Sequence, residues 1–118
     1  MPRLVVKCTW GAERPETLLQ AFTVAATAAA SGVDVSLWLT GDAVFQAMPG
    51  VADVELPHSP PLSHLREAVL AAGTVTVCTQ CVQRRDIGAR DLLEGVRIAG
   101  SAAFVSESLD PDTTALVY

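Results

Sequence analysis

The chain has 118 residues, of which 50% are hydrophobic and 18% are charged, and its formal net charge is −5. This composition excludes an intrinsically disordered chain, which needs low hydrophobicity and high net charge, and the length predicts one domain over residues 1–118. The acidic balance argues against general nucleic-acid binding, because phosphate contacts need a basic surface.

Strands and helices alternate along the first half of the chain. The apolar run 4–6 predicts a buried strand, and the segment 15–32 opens with proline, repeats apolar residues at helical spacing and ends at glycine. Alternation over 33–39 predicts a second strand. A turn then leads into a short helix over 43–48, for which Asp42 is the expected N-cap.

The second half continues the same alternation. Strands are predicted weakly at 51–55, clearly at 74–77, as a short candidate at 96–98, and at 114–117. Helices are predicted at 62–72, 79–85 and 102–109. Parallel strands need helical crossovers between them, so this order predicts an α/β fold with a mainly parallel sheet of about five strands, covered on both faces.

No segment indicates a membrane protein. The longest apolar stretch, 21–33, contains polar residues and is shorter than the roughly 20 residues that span a bilayer. The N-terminus lacks the layout of a signal peptide, so we expect a soluble cytoplasmic protein with no membrane partner. The odd number of cysteines, three, fits free thiols in a reducing compartment better than a disulfide framework.

Sites in parallel sheets lie beyond the carboxyl ends of the strands, which here directs attention to Cys78. This cysteine follows a strand and opens a predicted helix, whose N–H groups favour a reactive thiolate. Arg84 and Arg85, about two turns further on, would add positive potential. Trp10 lies beside the end of the first strand, where it lines a pocket or packs at an interface.

Cys81 completes a CxxC pair with Cys78, and this pair admits three interpretations. The first is a thiol-redox pair, and the second is a zinc site that would also recruit Cys8, His58 and His64. The third is a nucleophile at Cys78 with Cys81 as a resolving or packing neighbour. The histidines lack a recognisable ligand spacing, so no metal is predicted. The chain has no P-loop and no GxGxxG motif, so no cofactor is predicted.

The run Val77-Cys78-Thr79-Gln80-Cys81-Val82-Gln83-Arg84-Arg85-Asp86-Ile87 resembles the cysteine loop of the DsrE/DsrF-like family. That family includes the sulfur-relay subunit TusD and the small YchN-like proteins. The run Leu39-Thr40-Gly41-Asp42-Ala43-Val44 is similar to the family's segment after its second strand. Asp86 departs from the pattern, which usually has glycine after the arginine.

The resemblance implies a three-layer α/β/α fold and a homo-oligomer such as a trimer or hexamer. In the sulfur-relay members, the cysteine that matches Cys78 accepts sulfane sulfur as a persulfide and passes it to a partner protein. We therefore hypothesise a sulfur carrier with donor and acceptor proteins as partners. The alternatives are a CxxC thiol-redox module and a non-enzymatic, oligomeric ligand-binding subunit.

Overall fold

Five strands form one parallel sheet over residues 2–118, which are the residues that the computed structural model describes. They are β1 (Arg3–Cys8), β2 (Asp34–Leu39), β3 (Thr74–Cys78), β4 (Arg97–Ala99) and β5 (Thr113–Val117). Their order across the sheet is β4-β3-β2-β1-β5, and every neighbouring pair is parallel. The predicted parallel α/β architecture is therefore confirmed.

Helices cover the sheet from both sides. They are α1 (Pro15–Ala30), α2 (Leu62–Ala72), α3 (Thr79–Arg84) and α4 (Ser101–Ser108), with 3-10 helices at Gly41–Ala47 and Ala89–Asp91. The connections β1–β2, β2–β3 and β3–β4 all move across the sheet in the same direction. The connection from β4 to β5 runs back to the opposite edge of the sheet. Right-handed crossovers therefore place α4 on the face opposite α1 and α2. Within residues 2–118, no helix combines the length and the apolar character needed to cross a bilayer.

The face beneath α1 and α2 forms the apolar core. Alternate residues of the three central strands point into it, and all of them are buried: Val6, Cys8, Val35, Leu37, Leu39, Val75 and Val77. On α1, the fully buried Leu18 and Phe22 are followed by buried alanines, which let the helix approach the sheet closely. Pro15 stands in the first turn of α1, and Gly32 follows its end with φ +80°.

The opposite face is polar and converges on Glu107 of α4. The Ser36 hydroxyl and the Trp38 indole N–H donate to its Oε1 at 2.6 and 3.2 Å. Arg97 pairs with its Oε2, and Arg3 lies 3.8 Å from Oε1. Burial raises the pKa of Glu107, but the hydrogen bonds from Arg97, Ser36 and Trp38 outweigh burial and lower that pKa below its ordinary value. The ionised Glu107 thus clamps α4 to three strands.

The weak strand predicted at 51–55 is wrong, since that described segment has no strand pairing. Asp53 turns back toward α2 instead, and its Oδ1 accepts the N–H groups of Val54 and Ser63 at 2.9 Å each. Its Oδ2 accepts the Ser63 hydroxyl at 2.6 Å. The carboxylate therefore satisfies the first turn of α2, where the N-cap residue Pro61 offers no polar side chain.

Replacing Glu107 by alanine should lower the free energy of unfolding by about 2–4 kcal/mol, because buried donors lose their acceptor and Arg97 loses its counter-charge. Chemical denaturation monitored by circular dichroism measures the change in the free energy of unfolding. Glu67→Ala, at an exposed position of α2, is the matched control and should stay within about 0.5 kcal/mol of the wild type.

The difference in unfolding free energy between Glu107→Ala and the wild type depends on pH. Because the folded pKa of Glu107 is lowered, its stabilisation is complete above the unfolded pKa and is lost as the pH falls through the folded pKa. The difference between Glu107→Ala and the wild type should therefore shrink on acidification. A loss no larger than that of Glu67→Ala at neutral pH would contradict the clamp.

Candidate functional site at the carboxyl edge of the sheet

The carboxyl ends of β1, β2 and β3 lie side by side at one edge of the sheet. The strand register pairs Cys8 with Leu39 and Leu39 with Val77. The Thr40 N–H donates to the Cys8 carbonyl oxygen at 2.9 Å, which joins the first two loops at this edge. Parallel pairing thus gathers the loops after these strands, as the order of the predicted elements indicated.

Cys78 ends β3 and occupies the N-cap position of α3, where its backbone is still extended, with φ −69° and ψ 128°. The thiol is free and half-buried. Strand alternation directs it to the same face as Thr76, which is the face beneath α4. Val77 points the other way, into the apolar core.

The surroundings of Cys78 favour its thiolate. Burial raises the pKa of the thiol, but neighbouring groups more than offset that effect. The N–H and the thiol of Cys81 and the N–H of Gln80 lower the pKa, and Lys7 lowers it further through its positive charge. The net result is a pKa below the ordinary thiol value, which enriches the form that acts as a nucleophile.

Lys7 is a site residue that the sequence analysis missed. It is the only lysine of the chain and lies one residue before the end of β1. The register pairs it with Trp38, and Trp38 with Thr76, so it shares a face with Cys78. The sequence did indicate Lys7 in one way: it lies on the polar side of a predicted strand that ends at the same edge of the sheet as β3.

Cys81 has a different environment from its CxxC partner. It is buried, with 8% of its surface exposed, and its Sγ accepts the Gly41 N–H at 3.2 Å. The thiol of Cys81 is also close enough to Cys78 to act on its pKa. The pair therefore combines a half-exposed thiol that favours ionisation with a buried thiol held against the loop after β2.

Asp42 does not cap the helix that follows it, so that prediction is wrong; Thr40 holds the cap position, without a side-chain hydrogen bond. The Asp42 carboxylate instead accepts Arg85 Nε at 2.9 Å and Nη2 at 2.8 Å. Arg85 Nη1 also donates to the Cys81 carbonyl oxygen at 3.0 Å. Arg85 thereby ties α3 to the loop after β2, whereas Arg84 is exposed and makes no side-chain hydrogen bond or ion pair with residues 2–118.

Trp10 lies on the first loop of this edge, 40% exposed, with the Arg14 guanidinium 4.5 Å from its ring centroid. The Cys8 thiol donates to the Trp10 carbonyl oxygen at 3.2 Å. Burial raises the pKa of Cys8, which points into the core beneath α1. Cys8 and Cys78 share an edge of the sheet, but strand alternation directs them to opposite faces.

Asp86 adopts φ +54°, in the left-handed region that glycine occupies most readily. Aspartate is one of the few other residues that tolerate this conformation. The Asp86 N–H donates to the Gln83 carbonyl oxygen at 3.2 Å and closes the end of α3. The loop therefore keeps a backbone turn typical of glycine despite the aspartate.

The structure does not support a zinc site at the cysteines. In residues 2–118, no three His, Cys, Asp or Glu side chains are grouped to hold a metal ion. His58 is exposed on a loop with φ +65°, and His64 is exposed on α2. A structural zinc site needs about four ligands.

Cys78 should react with iodoacetamide at a lower pH than an ordinary thiol, because its pKa is lowered. Alkylation rates measured against pH by intact mass spectrometry should show one modification that becomes rapid at a lower pH than an ordinary thiol, and it should be absent in Cys78→Ser. The buried Cys8, with its raised pKa, should react only on unfolding. A midpoint for Cys78 at or above the ordinary thiol value would contradict the geometry.

Sequence comparison finds relatives over nearly the whole chain. The model of the DsrE/DsrF-like family matches residues 8–113. The uncharacterized protein MJ0989 of Methanocaldococcus jannaschii is 30% identical over 108 residues, which are 89% of this chain and 90% of that protein. The uncharacterized protein MK0008 of Methanopyrus kandleri is 29% identical over 96 residues, 81% of this chain and 75% of that one.

Solved structures show the same fold. The crystal structure of the YchN protein from E. coli matches with a TM-score of 0.83 and 22% identity, covering 100% of both chains. The protein of unknown function MTH1491 from Methanobacterium thermoautotrophicum matches with a TM-score of 0.73 and 13% identity, again over 100% of both. The implied α/β/α fold is confirmed, and the chain belongs to the DsrE/DsrF-like family.

Proposed function

We propose that this protein is a sulfur carrier that accepts sulfane sulfur as a persulfide on Cys78 and passes it to a partner. The observation that carries the proposal is the half-exposed Cys78 thiol, with its lowered pKa, at the carboxyl edge of the sheet. Family membership supports it: the family model matches residues 8–113, and the run around Cys78 resembles the cysteine loop that carries sulfur in the relay members.

The transfer is an exchange between sulfur atoms. The Cys78 thiolate attacks the outer sulfur of a donor persulfide, R–S–SH, so a new S–S bond forms while the donor's S–S bond breaks. The products are Cys78–S–SH and the thiolate R–S⁻, and no electrons enter or leave. Attack by an acceptor thiolate on the outer sulfur of Cys78–S–SH then delivers the sulfur and restores the Cys78 thiolate.

This chemistry needs donor and acceptor proteins that reach the edge of the sheet, and a compartment such as the cytoplasm in which thiols stay reduced. Cys8, Cys78 and Cys81 are free thiols. Trp10, exposed on the same edge, offers an aromatic contact for such a partner. Arg84 and Arg85 supply positive charge near the loop, with Arg85 held by Asp42.

A thiol-redox role is the second candidate, favoured by the contact between the Cys78 and Cys81 thiols. The Cys78 thiolate would attack an external disulfide and release one thiol, and Cys81 would then displace the second to form the Cys78–Cys81 disulfide. Cys81 is buried and accepts the Gly41 N–H, so its thiol is less accessible to an external donor than the thiol of Cys78.

Intact-protein mass spectrometry after incubation with an inorganic polysulfide tests the carrier directly. We expect the wild type to gain about 32 Da, the mass of one sulfur atom. Cys78→Ser should abolish the gain, whereas the matched variant Cys81→Ser should retain it, since Cys81 is not the acceptor.

Two results would contradict the carrier. A loss of about two hydrogen masses that requires both Cys78 and Cys81 would establish the redox pair instead. An unchanged mass in every protein would exclude both chemistries and favour the third candidate, a non-enzymatic oligomeric ligand-binding subunit.

We also propose that the protein forms a homo-oligomer through α4 and β5. This surface exposes large apolar side chains, with Val105 at 52%, Leu109 at 78% and Val117 at 63% exposure. β5 pairs with β1 on one side, so its outer edge carries unpaired backbone groups. An apolar edge strand is prone to aggregation unless it is covered, and a second copy of the chain is the cover that we propose.

Light scattering at micromolar concentration should give the mass of a trimer or hexamer for the wild type. Val117→Lys should reduce that mass, because the change places a charge in the contact. Ala71→Lys adds the same charge at an exposed position of α2 and should leave the mass unchanged. A monomeric wild type would refute the oligomer.

A further inference from the structure

A small cavity lies beside Cys78, between the sheet and α4. Its volume is about 30 Å³, close to the roughly 30 Å³ that one water molecule takes in the liquid. The cavity is lined by Lys7, Trp38, Thr40, Cys78, Ser101 and Phe104. A space of this size accommodates a single additional sulfur atom.

The ammonium group of Lys7 is the charge in this cavity, and it has no counter-ion in residues 2–118. Lys7 makes no ion pair or side-chain hydrogen bond there, and its Nζ stands 5.0 Å from the centroid of the Phe104 ring. Glu107, the buried carboxylate on this face, is already paired with Arg97 and Arg3. A half-buried cation is stabilised when an anion enters beside it, since burial has removed part of its hydration.

We infer that Lys7 is the anion-binding residue of the site, and that its ammonium holds the negatively charged terminal sulfur of a Cys78 persulfide inside this cavity. The inference rests on the proposed carrier function and identifies the position and counter-charge of its intermediate. The new S–S bond is about 2 Å long, so the terminal sulfur stays within a cavity that Cys78 itself lines.

The charge state of the Cys78 persulfide follows from the same geometry. Cys78–S–SH releases its proton to water and becomes the perthiolate Cys78–S–S⁻, for which Lys7 supplies the counter-charge. The attraction between the two charges lowers the pKa of the persulfide. The donors that fit are those that deliver one terminal sulfur, namely low-molecular-weight persulfides and inorganic polysulfides.

Few other groups affect this ionisation. The titratable side chains that act on Cys78 are Lys7 from β1 and Cys81 from α3. Arg97 of β4 and Glu107 of α4 lie on the same face of the sheet and are paired with each other. The other elements around the cavity contribute residues that do not titrate near neutral pH: Trp38, Thr40, Ser101 and Phe104.

The test uses the full chain loaded with sodium tetrasulfide and freed of excess reagent. Intact mass gives the loaded fraction, and the near-ultraviolet absorbance of the perthiolate, titrated against pH, gives its ionisation midpoint. The variants are Lys7→Met, which keeps the length of the stem, Lys7→Arg, which keeps the charge, and Arg90→Met, which removes an exposed charge outside the cavity. Thermal melting establishes that each variant folds.

We expect the Lys7→Met midpoint to lie about one pH unit above that of the wild type. Lys7→Arg should restore most of the difference, and Arg90→Met should match the wild type. The inference would be supported equally if sulfur loading of Cys78 were lost in folded Lys7→Met and kept in Lys7→Arg.

Two results would overturn the inference. If the wild type loads and Lys7→Met has the same midpoint, or if Lys7→Arg behaves like Lys7→Met, the inference fails while the carrier function stands. If no protein gains sulfur, the carrier function fails, and this inference fails with it.

Discussion

The parallel pairing of β1, β2 and β3 is the constraint on which the rest of the molecule depends. Strands that run in one direction end at one edge, so their loops meet there whatever the distance between them along the chain. Parallel pairing also requires a crossover between successive strands, and α1 and α2 supply the apolar cover that those crossovers need. Cys78 obtains its position from this arrangement, since the last residue of β3 is also the residue that begins α3.

The two faces of the sheet are stabilised by different means. α1 and α2 bury aliphatic side chains, whereas the eight-residue α4 is too short to cover its face by apolar contact alone. Glu107 compensates by collecting hydrogen bonds and charges from β1, β2 and β4. This polar face is where Cys78 and Lys7 meet, and a small cavity lies there beside the thiol, between the sheet and α4. The polar residues that hold α4 in place and the residues around Cys78 therefore lie on the same face of the sheet.

The CxxC pair illustrates why spacing alone does not assign roles to cysteines. Cys78 stands where strand becomes helix, half-exposed, with N–H groups and a lysine beside it. Cys81 lies one helical turn further on and is buried against the Gly41 N–H. The two thiols of the pair therefore have unequal environments, which the CxxC spacing does not reveal.

The sequence by itself determined the type and order of nearly every element, because hydrophobic periodicity, prolines and glycines are local signals. It also determined that Cys78 follows a strand and opens a helix, and the motif around it indicated the family. The tertiary structure decided which cation acts on Cys78: Arg85, near in sequence, turns to Asp42, while Lys7 arrives from another strand. It also decided that Asp53 binds Ser63 rather than joining a strand. Those contacts depend on strand order and register between distant segments, and local patterns do not encode either.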